Sequence, residues 1–182
     1  MIVSGWFFLL VNLNSEVLFS LLPNVGYQKA TLVVLYISLS KLITMMFGCG
    51  GAIISNSSFY KISLVFSIVM ALGVSVLNMI WIPQYGIDGA ALATLVVVGV
   101  SIVVKMIYVQ FKIKANPLSW NQFKALAAVG ILYSLFQYID LTFSPLVNIV
   151  LTSALVSVLY FLIVVQFKLS DDLLRLVKRI GK

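Results

Sequence analysis

The chain contains no histidine, one cysteine and five acidic residues among its 182 residues. Each scarcity removes a class of chemistry. Without histidine there is no imidazole general base and no Cys–His dyad. Without a second cysteine there is no disulfide and no Cys/His zinc set. The lone Cys49 lies inside an apolar run, where a buried, inert thiol is the ordinary reading. Enzymatic chemistry would have to rest on Glu16, Asp88, Asp140, Asp171 and Asp172, four of which lie at or beyond the ends of apolar runs. The composition points away from an enzyme and offers no metal set or cofactor motif.

Charge of either sign is scarce as well. Charged residues make up 9% of the chain, hydrophobic ones 62%, and the mean hydropathy is +1.14. An ordinary soluble domain is about 45–50% apolar and could not hide this much apolar surface from water. The few charges are also segregated: residues 62–81 and 145–166 contain no Lys, Arg, Asp or Glu. A bilayer-spanning helix needs about 20 mostly apolar residues at roughly 1.5 Å of rise each, and this is the pattern such helices leave in a sequence.

Six spans are expected, at about 2–22, 30–54, 62–82, 90–111, 123–139 and 145–167, giving an all-α polytopic membrane protein. The breaks carry turn chemistry at Pro23-Asn24, Asn56-Ser57-Ser58, Pro83-Gln84-Tyr85-Gly86, Asn116-Pro117 and Ser144-Pro145. The fifth span is short and ends on Gln137, so a re-entrant hairpin is its alternative. A signal peptide is the alternative for the first, but that segment lacks a basic leader and is interrupted by Asn12, Asn14 and Glu16.

With six spans the basic residues divide sharply between faces. Lys61, Lys105, Lys112, Lys114, Lys124, Lys168, Arg175, Lys178, Arg179 and Lys182, ten of the twelve, fall on the face holding both termini. Lys29 stands alone on the other, and Lys41 lies within a span. The positive-inside rule therefore places both termini in the cytoplasm, and a net charge of +7 is explained by membrane topology rather than by nucleic acid. Residues 169–182 read as a basic amphipathic helix on the cytoplasmic leaflet, with Ser170 as N-cap and Leu173, Leu176, Val177 and Ile180 on one face.

An ionisable group inside a span is costly enough to be a functional candidate. Lys41 lies roughly 17 Å of helix from the outer end of the second span, near mid-bilayer. Ser38, Thr44 and Met45 stand within a turn of it and Gly48 two turns on. Two readings follow, a cationic contact for an anionic substrate or an internally paired lysine. Glu16 in the first span lies between Asn12 and Ser20, a stripe expected to face protein or water. It would bind a coupling ion, relay protons or neutralise Lys41. Gly48, Gly50 and Gly51, and Gly86, Gly89, Ala90, Ala91 and Ala93, permit close helix approach, with a hinge as the alternative. Tyr60, Trp81, Tyr85 and Trp120 read as interface anchors.

At the third-to-fourth span junction, residues 78–94 read NMIWIPQYGIDGAALAT. Pro83 would stop one helix, Gly86 would allow a tight turn, and the Gly/Ala run would let the returning helix pack closely. The stretch resembles N-x-x-x-I-P-x-Y-G-I-x-G-A-A-x-A-T of the polysaccharide flippases in the multidrug/oligosaccharidyl-lipid/polysaccharide exporter superfamily. Leu21-Leu22-Pro23-Asn24 with Tyr27, and Ser40-Lys41-Leu42, resemble members exporting O-antigen or capsule units.

The resemblance implies one lobe of a two-lobed transporter of about twelve to fourteen spans, the chain being a C-terminal part that needs an N-terminal half or self-association. It implies a polyprenyl-pyrophosphate-linked oligosaccharide as substrate and the bacterial cytoplasmic membrane as its location. Lys41, with Ser38 and Thr44, would contact the pyrophosphate, and Glu16 with Asn12 would take a coupling ion. A cation-coupled multidrug exporter of the same superfamily and a six-helix accessory protein of glycan assembly are the alternatives.

The charge distribution makes topology testable. Reporters fused after Lys61, within residues 112–124 or after Lys182 are expected to behave as cytoplasmic, and reporters near Asp88 or Ser144 as external. An external signal from the 112–124 loop would overturn the assignment.

Overall fold

The structure is a computed structural model that describes residues 1–21, 30–47, 50–56, 60–113, 120–138 and 144–167. Among these, every regular element is helical: α1 (Ile2–Ser20), α2 (Thr31–Phe47), α3 (Gly50–Ser55), α4 (Tyr60–Tyr108), a π-helical turn at Val109–Ile113, α5 (Trp120–Phe136) and α6 (Pro145–Gln166). Gly48, Cys49, the expected turns at Pro23-Asn24 and Asn116-Pro117, and the expected tail helix at 169–182 lie outside the described residues. Among the described residues, three segments are long and apolar enough to cross a membrane: Ile2–Ser20, Lys61–Lys112 and Pro145–Gln166. The helices form two compact units, one of residues 1–28 and 119–182 and the other of residues 29–118.

In the second unit, α4 is helical over 49 residues but breaks at Gly86, where φ is 61° and ψ −137°. The contacts show what this break does. A Cβ at Gly73 would lie 3.3 Å from Val97 Cγ1, and the rings of Phe66 and Tyr108 meet edge-on with centroids 6.0 Å apart. Lys105 Nζ sits 5.8 Å from the centre of the Phe66 ring. Each pair joins residues about equally far before and after Gly86, so α4 is an antiparallel hairpin with arms of residues 60–85 and 87–108. At roughly 1.5 Å per residue the arms are about 39 Å and 33 Å long, each enough to span a hydrocarbon core of about 30 Å.

The expected third and fourth spans are these two arms, with one difference at the junction. The helix does not end at Pro83. It continues to Tyr85 and reverses at Gly86 alone. Proline removes one backbone donor and crowds the preceding turn, whereas a positive φ with this ψ lies where only glycine is comfortable, so the glycine makes the corner. Gly89 then permits the closest approach, since a Cβ there would collide with the Trp81 carbonyl oxygen and lie 2.8 Å from its carbon.

The segment expected as the second span is described as α2 followed by the short α3. At 17 residues α2 is about 25 Å long, the lower limit for a span. Phe47, Ile54, Val98, Ile102 and Val109 form the buried cluster of this unit, with Ile43 and Met70 against it. The Ser55 and Ser63 hydroxyls, 3.2 Å apart, tie the end of α3 to the start of α4.

The first unit is a three-helix arrangement. Phe8 of α1 meets Tyr133 of α5 edge-on at 5.8 Å, and a Cβ at Gly5 would lie 2.7 Å from Val129 Cγ2. These pairs advance together, so α1 and α5 run parallel. Trp6 bonds to Ser157 and Asn14 to Ser153, so α6 runs antiparallel to α1. The described α5 begins and ends three residues earlier than the expected 123–139, which brings Trp120 into the helix.

The outward faces of these helices are apolar. Along the first arm of α4, Leu64, Val65, Ile68, Val69, Leu72 and Val76 are each more than half exposed, as are Leu146, Val150, Val158, Phe161 and Leu162 on α6. Stripes this long are avoided in water and fit contact with lipid. Hydroxyls on the same helices are satisfied locally: Ser67 donates to the Ser63 carbonyl, Ser75 to Ala71, Thr94 to Ala90 and Ser134 to Gly130, at 2.9–3.0 Å. Such back-bonding lets hydroxyls face hydrocarbon without a lost bond.

Gly86→Ala is expected to destabilise the chain by about 1–3 kcal/mol, because alanine must take a conformation reserved for glycine. Gly99→Ala, where a Cβ meets nothing within 4 Å, should be neutral or slightly stabilising. Reversible unfolding in detergent micelles measures both. Equal effects at the two sites would show that the hairpin does not depend on the positive φ.

Candidate functional site

The polar side chains expected to be functional fall in both units. Those of the second unit, Lys41, Ser38 and Thr44, lie on α2. Lys41 is exposed, Thr44 is exposed and Ser38 half-buried. Within its own unit no described side chain bonds to the lysine, so the internally paired reading finds no partner there. Ser38 Oγ donates to the Leu35 carbonyl at 3.0 Å and Thr44 Oγ1 to the Ser40 carbonyl at 2.8 Å. Both protons are therefore committed to the helix. Of the three residues expected to contact a phosphate, only Lys41 has donors free to do so.

In the first unit the expected stripe Asn12–Glu16–Ser20 divides. Asn12 is 8% exposed and donates from Nδ2 to the Phe8 carbonyl at 2.8 Å. Glu16 is exposed, and Ser20 Oγ returns its proton to the Val17 carbonyl at 2.7 Å. Helix geometry explains the split: four residues advance about 40° beyond a full turn, so the line rotates from the packed face outward. Glu16 stays within electrostatic range of Tyr133 on α5. It belongs to a different unit from Lys41.

Sequence reasoning missed the polar seam between α1 and α6. Asn14, 8% exposed, donates from Nδ2 to the Leu10 carbonyl at 2.7 Å and to Ser153 Oγ at 3.1 Å. Trp6 Nε1 donates to Ser157 Oγ at 2.8 Å, Ser157 Oγ to the Ser153 carbonyl at 2.6 Å, and the Tyr160 hydroxyl to the Ile2 carbonyl at 2.9 Å. Gly5 makes room for this. A Cβ there would stand 2.7 Å from both the Tyr160 hydroxyl and Val129 Cγ2. The available signal was Ser153 and Ser157, one turn apart on a mostly apolar α6.

The small residues at the hairpin differ in burial. Gly89, Ala91 and Ala93 are buried and Ala90 half-buried, while Gly51 meets nothing within 4 Å. Near the tip, Asn78 Oδ1 and Asp88 Oδ1 are buried without a hydrogen-bond partner among the described residues. Both are acceptors, and what they lack is a donor. Among the described residues no cluster of three His, Cys, Asp or Glu side chains is arranged to hold a metal. No family model, curated protein or solved structure matches the chain, so a functional reading must rest on the residues themselves.

The α1–α6 seam is open to a double-mutant cycle. Asn14→Ala and Ser153→Ala are expected to couple by about 0.6 kcal/mol, and by no more than about 1.7 kcal/mol, the range for interhelical hydrogen bonds in membrane proteins. Unfolding free energies of both single variants and the double give the coupling. Strict additivity would mean that the bond contributes nothing.

Proposed function

We propose that the chain is a multi-pass protein of the bacterial cytoplasmic membrane. In this reading it forms part of a path by which polyprenyl-pyrophosphate-linked oligosaccharides are flipped in surface polysaccharide synthesis. The observation that carries the proposal is Lys41, an exposed cation that no side chain among the described residues bonds, on a helix that is otherwise apolar and hydroxyl-bearing. An isolated ammonium in such surroundings is costly unless an anion or water completes it. A pyrophosphate supplies such an anion, and the low dielectric strengthens the attraction.

Two further observations support the reading. The residue 78–94 stretch that resembles the flippase motif folds as a close helical hairpin turning at Gly86 and pinched at Gly89. In addition, α1 and α5 run parallel, so a chain crossing the membrane at both must cross an odd number of times between them. α2 and the two arms of α4 supply three crossings, which fits six spans with both termini on the cytoplasmic side. The six helices would be one lobe of a two-lobed transporter, with an N-terminal half or a second copy supplying the other wall. Glu16, exposed and carboxylate-bearing, would take a coupling cation.

The test uses the complete transporter, with export and protein level measured together. Lys41→Ala is expected to lower export by roughly ten- to a hundredfold at unchanged protein level, as loss of a hydrogen bond to a charged group would. Lys41→Arg should retain part of the activity, and Ser38→Ala and Thr44→Ala most of it, because those hydroxyls bond their own helix. If Lys41 only neutralises Glu16, each single change should reduce folded protein and Lys41→Ala/Glu16→Ala should restore it. A double variant that exports normally would sink the pyrophosphate contact.

A further inference from the structure

Among the described residues, the grooves that open on the first unit include two apolar ones that differ at the rim. The larger, about 510 Å³, lies along α1 and α6, and its described lining carries no charged side chain. The smaller, about 420 Å³, lies between α5 and α6. Its walls are Ala127, Ala128 and Ile131 on one side and Ile163 and Phe167 on the other, with Lys124 at its mouth. Lys124, Ala127, Ala128 and Ile131 follow helical spacing and so form one face of α5. The two alanines make the groove by leaving space where larger side chains would fill it.

The occupant must match both parts. A void of this size is far larger than the roughly 30 Å³ of a water molecule, and its walls give water nothing to bond. A hydrocarbon chain fits them. Lys124 is exposed at one end of that apolar channel, where a long stem can lie along the groove while its ammonium reaches the polar layer. Beside it, Trp120 is 73% and Phe123 44% exposed, with ring centroids 6.1 Å apart. Aromatic residues so placed mark the level of the headgroups.

We infer that the α5–α6 groove binds one anionic phospholipid of the cytoplasmic leaflet, an acyl chain between the alanines of α5 and Ile163/Phe167 and the headgroup phosphate on Lys124. The inference rests on the reading of the chain as membrane-embedded with the start of α5 at the cytoplasmic face. It concerns a site distinct from Lys41 and holds whether or not the chain moves glycolipids. Orientation is decided separately by the reporter in the 112–124 loop, whereas headgroup preference is read in detergent without reference to sidedness.

The experiment is native mass spectrometry of the full chain titrated with phosphatidylglycerol or with phosphatidylcholine of the same acyl chains. The first phosphatidylglycerol should be retained about fivefold more tightly, the scale of one lysine near an anionic headgroup. Lys124→Gln should abolish that preference, Lys112→Gln should leave it, and Ala127→Phe, which fills the groove, should weaken the first binding event for both lipids. Equal retention of the two lipids by the parent chain would overturn the inference. So would equal losses in Lys124→Gln and Lys112→Gln, which would mean diffuse attraction to the basic face. Displacement by glycerol 3-phosphate alone would also overturn it, because the groove would then play no part.

Discussion

A continuous 49-residue helix would be about 74 Å long, more than twice the thickness of a bilayer's hydrocarbon core. The backbone of Gly86 resolves this. One residue with positive φ turns a rod that no membrane could accommodate into two arms of suitable length. Their faces can meet because Gly89 lies against the Trp81 carbonyl and Gly73 against Val97. The cluster of Phe47, Ile54, Val98, Ile102 and Val109 depends on that reversal. It collects side chains from α2, α3, the second arm and the π-helical turn that follows it, with Met70 from the first arm against them. Everything that places Lys41 within its unit follows from this corner, since α2 packs on α4.

The first unit meets a different requirement. Lipid tails are as apolar as leucine, so helices in a bilayer gain little by burying apolar faces against one another. Close fit and interhelical hydrogen bonds must hold them together. Gly5 provides the fit by admitting Tyr160 and Val129 to the same spot on α1, and Trp6, Asn14 and Tyr160 provide the bonds. The arrangement is nearly inverted relative to a soluble protein. Asn12, Asn14 and Ser15 are buried while Val3, Phe7, Val11 and Leu18 of the same helix are exposed.

The helical class, the long apolar helices and the corner at residues 83–86 were legible in the sequence because they are local. Apolar run length and turn residues are read without knowing what touches what. The identity of the residue that turns the corner was less legible. Pro83 and Gly86 are both helix breakers on paper, and only backbone geometry separates a proline tolerated in the last turn from a glycine at φ 61°. The seam of Trp6, Asn14, Ser153 and Ser157 was hidden because its partners are more than a hundred residues apart. Gly5 was hidden because a glycine near a helix start looks unremarkable until its neighbours are known. Ser38 and Thr44 were identified as polar and near Lys41, but spacing cannot reveal that both hydroxyl protons already serve the helix.

The first unit joins helices that lie far apart in the sequence, and this has a consequence for biogenesis. Asn14 and Ser153 are 139 residues apart. At about 5–20 residues per second, α1 leaves the ribosome roughly 7–28 s before its partner on α6 exists. During that interval a helix carrying two asparagines, three serines and a glutamate must wait at the insertion machinery or in the bilayer with its seam unfilled. Local back-bonding from Asn12 and Asn14 to the Phe8 and Leu10 carbonyls gives those amides an interim partner within their own helix. The same contacts that look redundant in the finished fold are what would make α1 tolerable to the membrane before α6 arrives.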